Sequence, residues 1–157
     1  MARTANPTPA GYRALTPYLI VKGAAKAIDF YTTVFGARER MRMPGPNGRI
    51  GHAEIEIADS VIMLADEFPQ MNAKAPPGYG GSPVHLHLYV ANVDEVVANA
   101  ARHGSAILRH VEDQFYGDRT GTIQDPFGHV WHIGTHVEDV TPDELRRRAA
   151  ERAKASG

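Results

Sequence analysis

The chain has no cysteine, and that one absence removes much of the chemistry open to a protein of 157 residues. Without thiols there is no disulfide framework, no thiol nucleophile, and no Cys-ligated zinc or iron–sulfur centre. Charge of one sign is also missing. The 17 Lys and Arg nearly balance the 18 Asp and Glu, for a formal net charge of -1. That balance gives no broad electrostatic case for nucleic acid or an acidic membrane surface. No stretch approaches the roughly 20 apolar residues of a membrane span. The opening MARTANPTPAGYR lacks the apolar centre of a secretory signal and reads as a loose polar arm. A cytoplasmic protein with neither nucleic-acid nor membrane partners is therefore expected. A Gly-rich phosphate loop, a G-x-S-x-G elbow and DNA-reading motifs are absent too.

What is present begins with enough apolar residues, 43%, to bury the core of one ordinary domain. TPYLIV at 16–21 is short and β-rich. Over 24–35, Ala24, Ala27, Ile28, Tyr31 and Phe35 fall on one stripe at helical spacing, and Gly36 follows as a stop. Residues 38–43 read as a strand, followed by a PGPNG loop. In 52–57 the alternation is clean, with Ala53, Ile55 and Ile57 against His52, Glu54 and Glu56. Ala58, Asp59 and Ser60 turn the chain into a hydrophobic strand over 61–65. Residues 67–83 are rich in Pro and Gly and read as a linker or a long functional loop.

The order of elements then restarts. His85, His87 and Tyr89 alternate with Val84, Leu86, Leu88 and Val90. Asn92 or Asp94 can cap a helix that Gly104 ends, and strands are expected over 107–111 and from Asp118 toward Asp125. In Asp125-Pro126-Phe127-Gly128, Pro presets φ and Gly permits a positive one, so a tight turn leads into Val130-Trp131-His132-Ile133. Trp131 alternates away from His132 and belongs to a core. His129 in the turn and His136 at the strand end read as structural. Thr141-Pro142-Asp143-Glu144 is a capping-box helix start, and the helix after it has almost no apolar face.

The halves superpose at an offset of 69: Val21 falls on Val90, and 59–63 fall on 128–132. The fold class is therefore α+β, with two tandem β-α-β-β-β modules. The expected organisation is an arm over 1–14, a module over 15–67, a loop over 68–83, a module over 84–136 and a terminal helix within 137–157. Each module has a curved sheet with a helix on its apolar face. Its other face is polar and aromatic, and two such sheets would form a cleft for a small molecule.

The stretches TPYLIVKGAAKAIDFYTTVFGA, HAEIEIADSVIMLAD and YGDRTGTIQDPFGHVW resemble the glyoxalase/bleomycin-resistance/extradiol-dioxygenase (vicinal oxygen chelate) superfamily, and in particular its PhnB-like branch. The resemblance covers residues 15–136. It implies homodimers and, in metal-dependent members, four ligands whose positions here are Thr16, Met63, His85 and His132. The repeat agrees, pairing Thr16 with His85 and Met63 with His132. Two imidazoles are good ligands; Thr16 is a poor one and the Met63 thioether suits soft ions.

Two functions follow. One is a small-molecule-binding protein for a planar or aromatic, antibiotic-like compound, contacted by His52, His87, Tyr89, Tyr116 and Arg119. It requires no cofactor. The alternative is a metal-dependent lyase, isomerase or dioxygenase in which His85 and His132 hold a divalent Zn, Fe, Mn or Ni ion. Glu54 or Glu56 would then ligate it or act as base. Within Tyr116-Gly117-Asp118-Arg119, Asp118 can orient Arg119 toward a carboxylate or phosphate, or the pair can fasten the loop.

Overall fold

A computed structural model describes residues 5–157; the first four residues of the expected arm lie outside this range. The chain divides into two compact units, meeting in sequence between Gly81 and Ser82, inside the Pro/Gly-rich stretch.

In the first unit, strand β1 (Tyr18–Val21) leads to helix α1 (Ala24–Phe35), then β2 (Arg38–Pro44), β3 (Ile50–Ile57) and β4 (Ser60–Asp66). The sheet order is β1-β4-β3-β2, with β1 parallel to β4 and the other pairs antiparallel. Helix α1 buries Ala24, Ala27, Ile28, Phe30, Tyr31 and Val34, and Leu19, Ala53, Ile55, Ile57 and Leu64 are buried with them. Gly36 ends the helix at φ 67, the left-handed conformation that glycine adopts at little cost. The helix start has no side-chain cap of its own. Asp66 at the end of β4 supplies one, accepting from the Gly23 and Ala24 amides at 2.9 Å each, where the helix dipole favours a negative charge. Its second oxygen accepts from Ile50 N–H at 2.8 Å, so one carboxylate joins α1, β3 and β4. The 67–81 stretch holds two short 3₁₀ turns, Pro69–Met71 and Pro76–Tyr79.

The second unit repeats the plan with β5 (His85–Tyr89), α2 (Val93–Arg102), β6 (Ala106–Asp113), β7 (Asp118–Gln124) and β8 (Val130–His136). Its order, β5-β8-β7-β6, is the counterpart of the first. Asn92 is the cap of α2, accepting from Glu95 N–H. Val93, Val97 and Ala100 of α2 are buried, as are Ile123, Trp131 and Ile133 of the sheet. Asp125 organises the tight turn: its Oδ1 accepts from the Phe127 and His129 amides, and its Oδ2 from Trp131 Nε1 at 2.9 Å. Helix α3 (Pro142–Ala155) starts at Thr141, whose hydroxyl accepts from Glu144 N–H, and it buries no residue. It is not simply solvated, because Arg148 reaches back to Glu138 and to the Phe115 carbonyl.

The uniform offset of 69 requires one correction. It holds for β1/β5 and β4/β8, where the partners Tyr18 and Met63 become His87 and His132. On β3/β7 it shortens by one, since Glu54 stands opposite Met63 while Thr122 stands opposite His132. The cause is turn length: Ile57 pairs with Ser60 across two residues, whereas Gln124 pairs with Val130 across the longer Asp125 turn. A one-residue slip exchanges the faces of a strand, so the true structural counterpart of Glu54 is Thr122.

Candidate functional site

On the second sheet, alternation places His85, His87 and Tyr89 of β5 on the face away from α2, beside His132 and Gly134 of β8 and Thr120 and Thr122 of β7. All three β5 side chains are exposed. His85 Nδ1 and His132 Nε2 lie 3.0 Å apart, and His132 Nδ1 lies 3.0 Å from Thr122 Oγ1. Both contacts are satisfied with neutral rings, one proton lying between each pair of atoms. Burial, together with neighbouring His85, His87 and Arg109, holds the His132 pKa below its ordinary value, which keeps that ring neutral. The His87 ring is 4.7 Å from Tyr89 and stacks at 6.3 Å on His132. His87 and Tyr89 pack over Gly134, where a Cβ would stand in contact with both, 3.4 Å from His87 Nε2 and 3.5 Å from Tyr89 Cε1.

A second group on this face was not legible as a set. Buried Asp118 accepts from the Tyr89 hydroxyl and bonds His136 Nδ1, both at 2.7 Å, and His136 Nε2 lies 2.7 Å from Asp139. Burial pushes the Asp118 carboxyl upward, but the His136 and Tyr89 hydrogen bonds outweigh it and the net shift is down. The same bond raises Tyr89, and the two carboxylates raise His136. The alternation of β7 carried the missed signal, because it puts Asp118 on the face of Tyr89 and His136.

That alternation also corrects the pairing of Asp118 with Arg119, since neighbours on a strand point to opposite faces. Arg119 lies on the helix side, where it grips Asp94 of α2 through two nitrogens at 2.7 and 2.8 Å and Asp113 of β6 at 3.1 Å. Its guanidinium fastens α2 to the sheet. Tyr116 is partly exposed and meets Phe115 edge-on.

On the first sheet, Met63 is half-buried and Thr16 hydrogen-bonds only locally, to the Arg13 carbonyl. Glu56 is tied to Arg38 at 2.9 Å. Glu54 is 5% exposed despite its place on the polar face, because Tyr12 covers it, donating its hydroxyl to Oε2 at 2.6 Å. His52 Nε2 is 3.3 Å from the other oxygen, and Tyr18 bonds His52 Nδ1 at 2.8 Å. The Tyr12 hydrogen bond, helped by His52 and Arg40, holds the Glu54 pKa low against the opposing effect of burial. No local sequence pattern points to Tyr12, which lies in an irregular segment far from Glu54 in the chain.

His85 and His132 are the donor atoms best placed for a metal, and their 3.0 Å separation suits two nitrogens on one ion at about 2.0–2.1 Å each. The set stops there. Among the described residues no group of three or more His, Asp or Glu side chains is arranged to hold an ion. The described residues therefore do not complete a metal site.

The same architecture occurs in known proteins. The chain is 43% identical over 136 residues to the uncharacterized protein Rv0887c of Mycobacterium tuberculosis, covering 85% of this chain and 80% of that one. Its fold matches TioX from Micromonospora sp. ML1, with a TM-score of 0.61, 22% identity, and coverage of 82% of this chain and 100% of the other. It also matches a PhnB protein from Bacillus cereus, with a TM-score of 0.63, 19% identity and coverage of 78% and 99%. With paired units of identical strand order and a family match spanning residues 12–133, the chain belongs to the Glyoxalase/Bleomycin resistance protein/Dioxygenase superfamily.

Proposed function

We propose that the protein binds a planar or aromatic small molecule on the ring-bearing face of β5 and β8. The observation that carries this reading is the exposed row His85, His87 and Tyr89, the last two packed over Gly134. Rings backed by a rigid sheet offer stacking area at small entropic cost, and their polar edges orient a ligand. Tyr89 is held by Asp118 and His132 by Thr122, so the platform is set before a ligand arrives. The carboxylates support the same choice. Glu54 is engaged by Tyr12 and His52 and Glu56 by Arg38, which leaves no unengaged base among those candidates.

Metal-dependent catalysis is the second reading, favoured by the His85–His132 separation alone. A thermal-shift panel of aromatic compounds, run with and without chelator on protein purified without a tag, separates the two. The binding reading expects stabilisation that chelator leaves unchanged and that His87→Ala with Tyr89→Ala abolishes. About one equivalent of a single transition metal by mass spectrometry, lost in His85→Ala/His132→Ala together with a chelator-sensitive turnover, would replace it with the enzyme reading.

A further inference from the structure

The first sheet carries a site of its own, and part of the chain occupies it. Glu54 is a buried carboxylate on the polar face of β3, and such a group needs donors to remain ionised. The strands provide few. His52 reaches one oxygen at 3.3 Å, and Arg40, in the β2 bulge, stands 3.9 Å from the other. The short contact, 2.6 Å, comes from the phenol of Tyr12, whose ring lies 4.8 Å under the Arg40 guanidinium. Arg40 Nη1 is itself buried and has no hydrogen-bond partner. A carboxylate that accepts a phenol O–H, beside a cation over the ring face, is a complete recognition set for a phenol.

The occupant and the site differ in how firmly they are held. Glu54, His52 and Tyr18 sit on paired strands of the sheet. Tyr12 comes from a segment in no strand or helix, and its own amide makes a turn contact to the Pro9 carbonyl at 3.2 Å. A space of about 300 Å³, lined by Gly11, Tyr12, Arg13, Asp59 and Val61, lies beside it. Tyr12 thus has less backbone pairing than the strands that carry its partners.

We propose that Glu54, Arg40 and His52 form a phenol-binding site that Tyr12 fills as a tethered occupant, and that external phenols compete with it. This concerns the first sheet and does not depend on the ring platform of the second.

The test uses p-cresol, which is the Tyr12 side chain as a free molecule, titrated by calorimetry into full-length protein. A site closed by its own arm nine-tenths of the time shows an apparent affinity lowered about tenfold. Tyr12→Ala is therefore expected to bind p-cresol about tenfold more tightly than wild type or better. Toluene, which lacks the hydroxyl, should bind the variant weakly, and adding Glu54→Leu, which removes the acceptor at similar volume, should abolish the gain. Tyr12→Phe keeps the ring and loses the donor, so it should give a smaller gain and serves if the alanine variant folds poorly. Equal p-cresol affinity in wild type and both Tyr12 variants, or toluene binding as well as p-cresol, would overturn the proposal. Failure of the aromatic panel on the second sheet would leave this result standing, and the reverse also holds.

Discussion

Replacing Asp125 by Ala should be among the most damaging single changes in the second unit. The carboxylate is 3% exposed and accepts from two turn amides and from Trp131 Nε1, whose side chain is 1% exposed. The Phe127 amide is only partly buried, so water can replace the lost acceptor there. The His129 amide and the indole N–H are buried, and each stranded donor costs about 1–3 kcal/mol. Relief of the buried charge offsets part of this, leaving a net loss of about 3–4 kcal/mol. Asp125→Asn keeps an oxygen for the amides but turns an NH₂ toward the indole, so about half that loss is expected. The assay is urea unfolding followed by the fluorescence of Trp131, the one tryptophan of the chain. The change should also weaken ligand binding, because this turn sets the start of β8 two residues before His132. A loss below about 1 kcal/mol in Asp125→Ala, with unchanged Trp131 emission, would refute the idea that this carboxylate organises the turn.

Gly134→Val should place methyl groups where His87 and Tyr89 now lie, since even a Cβ would meet His87 Nε2 at 3.4 Å. Aromatic-ligand affinity should fall by about tenfold or more, and stability by about 1–3 kcal/mol, because displacing Tyr89 breaks its hydrogen bond to the buried Asp118. Unchanged affinity would remove the platform reading. The histidines should titrate in a fixed order in NMR spectra. His136 lies above the ordinary 6.5 because of its hydrogen bonds to Asp118 and Asp139, and His132 lies below it because of burial and its His85, His87 and Arg109 neighbours. The stability from His136 is full below pH 6.5 and fades as pH rises through its folded value. That from His132 is present above pH 6.5 and is lost as pH falls through its lower folded value. Finding His132 to titrate at or above His136 would contradict both assignments.

The strands, the two helices of the repeat and their faces were legible because each rests on a local rule. Periods of two and 3.6 separate Ile55 from Glu54 and place Tyr31 toward the core, and Gly36 and Asn92 mark helix ends by the conformation or bond a terminus needs. Alternation also put His85, His87 and Tyr89 on one face, and it would have set Asp118 beside Tyr89 had it been carried onto β7. Register between strands is a different matter. It depends on turn length, and one extra residue in the Asp125 turn moves the counterpart of Glu54 from Ile123 to Thr122. A repeat aligned by sequence alone therefore registers β1 with β5 and β4 with β8 as the structure does, and misreads β3 against β7. The engagement of Glu54 is less legible still. Its cover is a phenol 42 residues away, in a segment with no periodicity. Alternation assigns Glu54 to a solvated face, and a solvated carboxylate looks like a candidate base. The Tyr12 contact turns it into a buried acceptor that needs a donor, and this need, more than any motif, identifies the first sheet as a place where a phenol can bind.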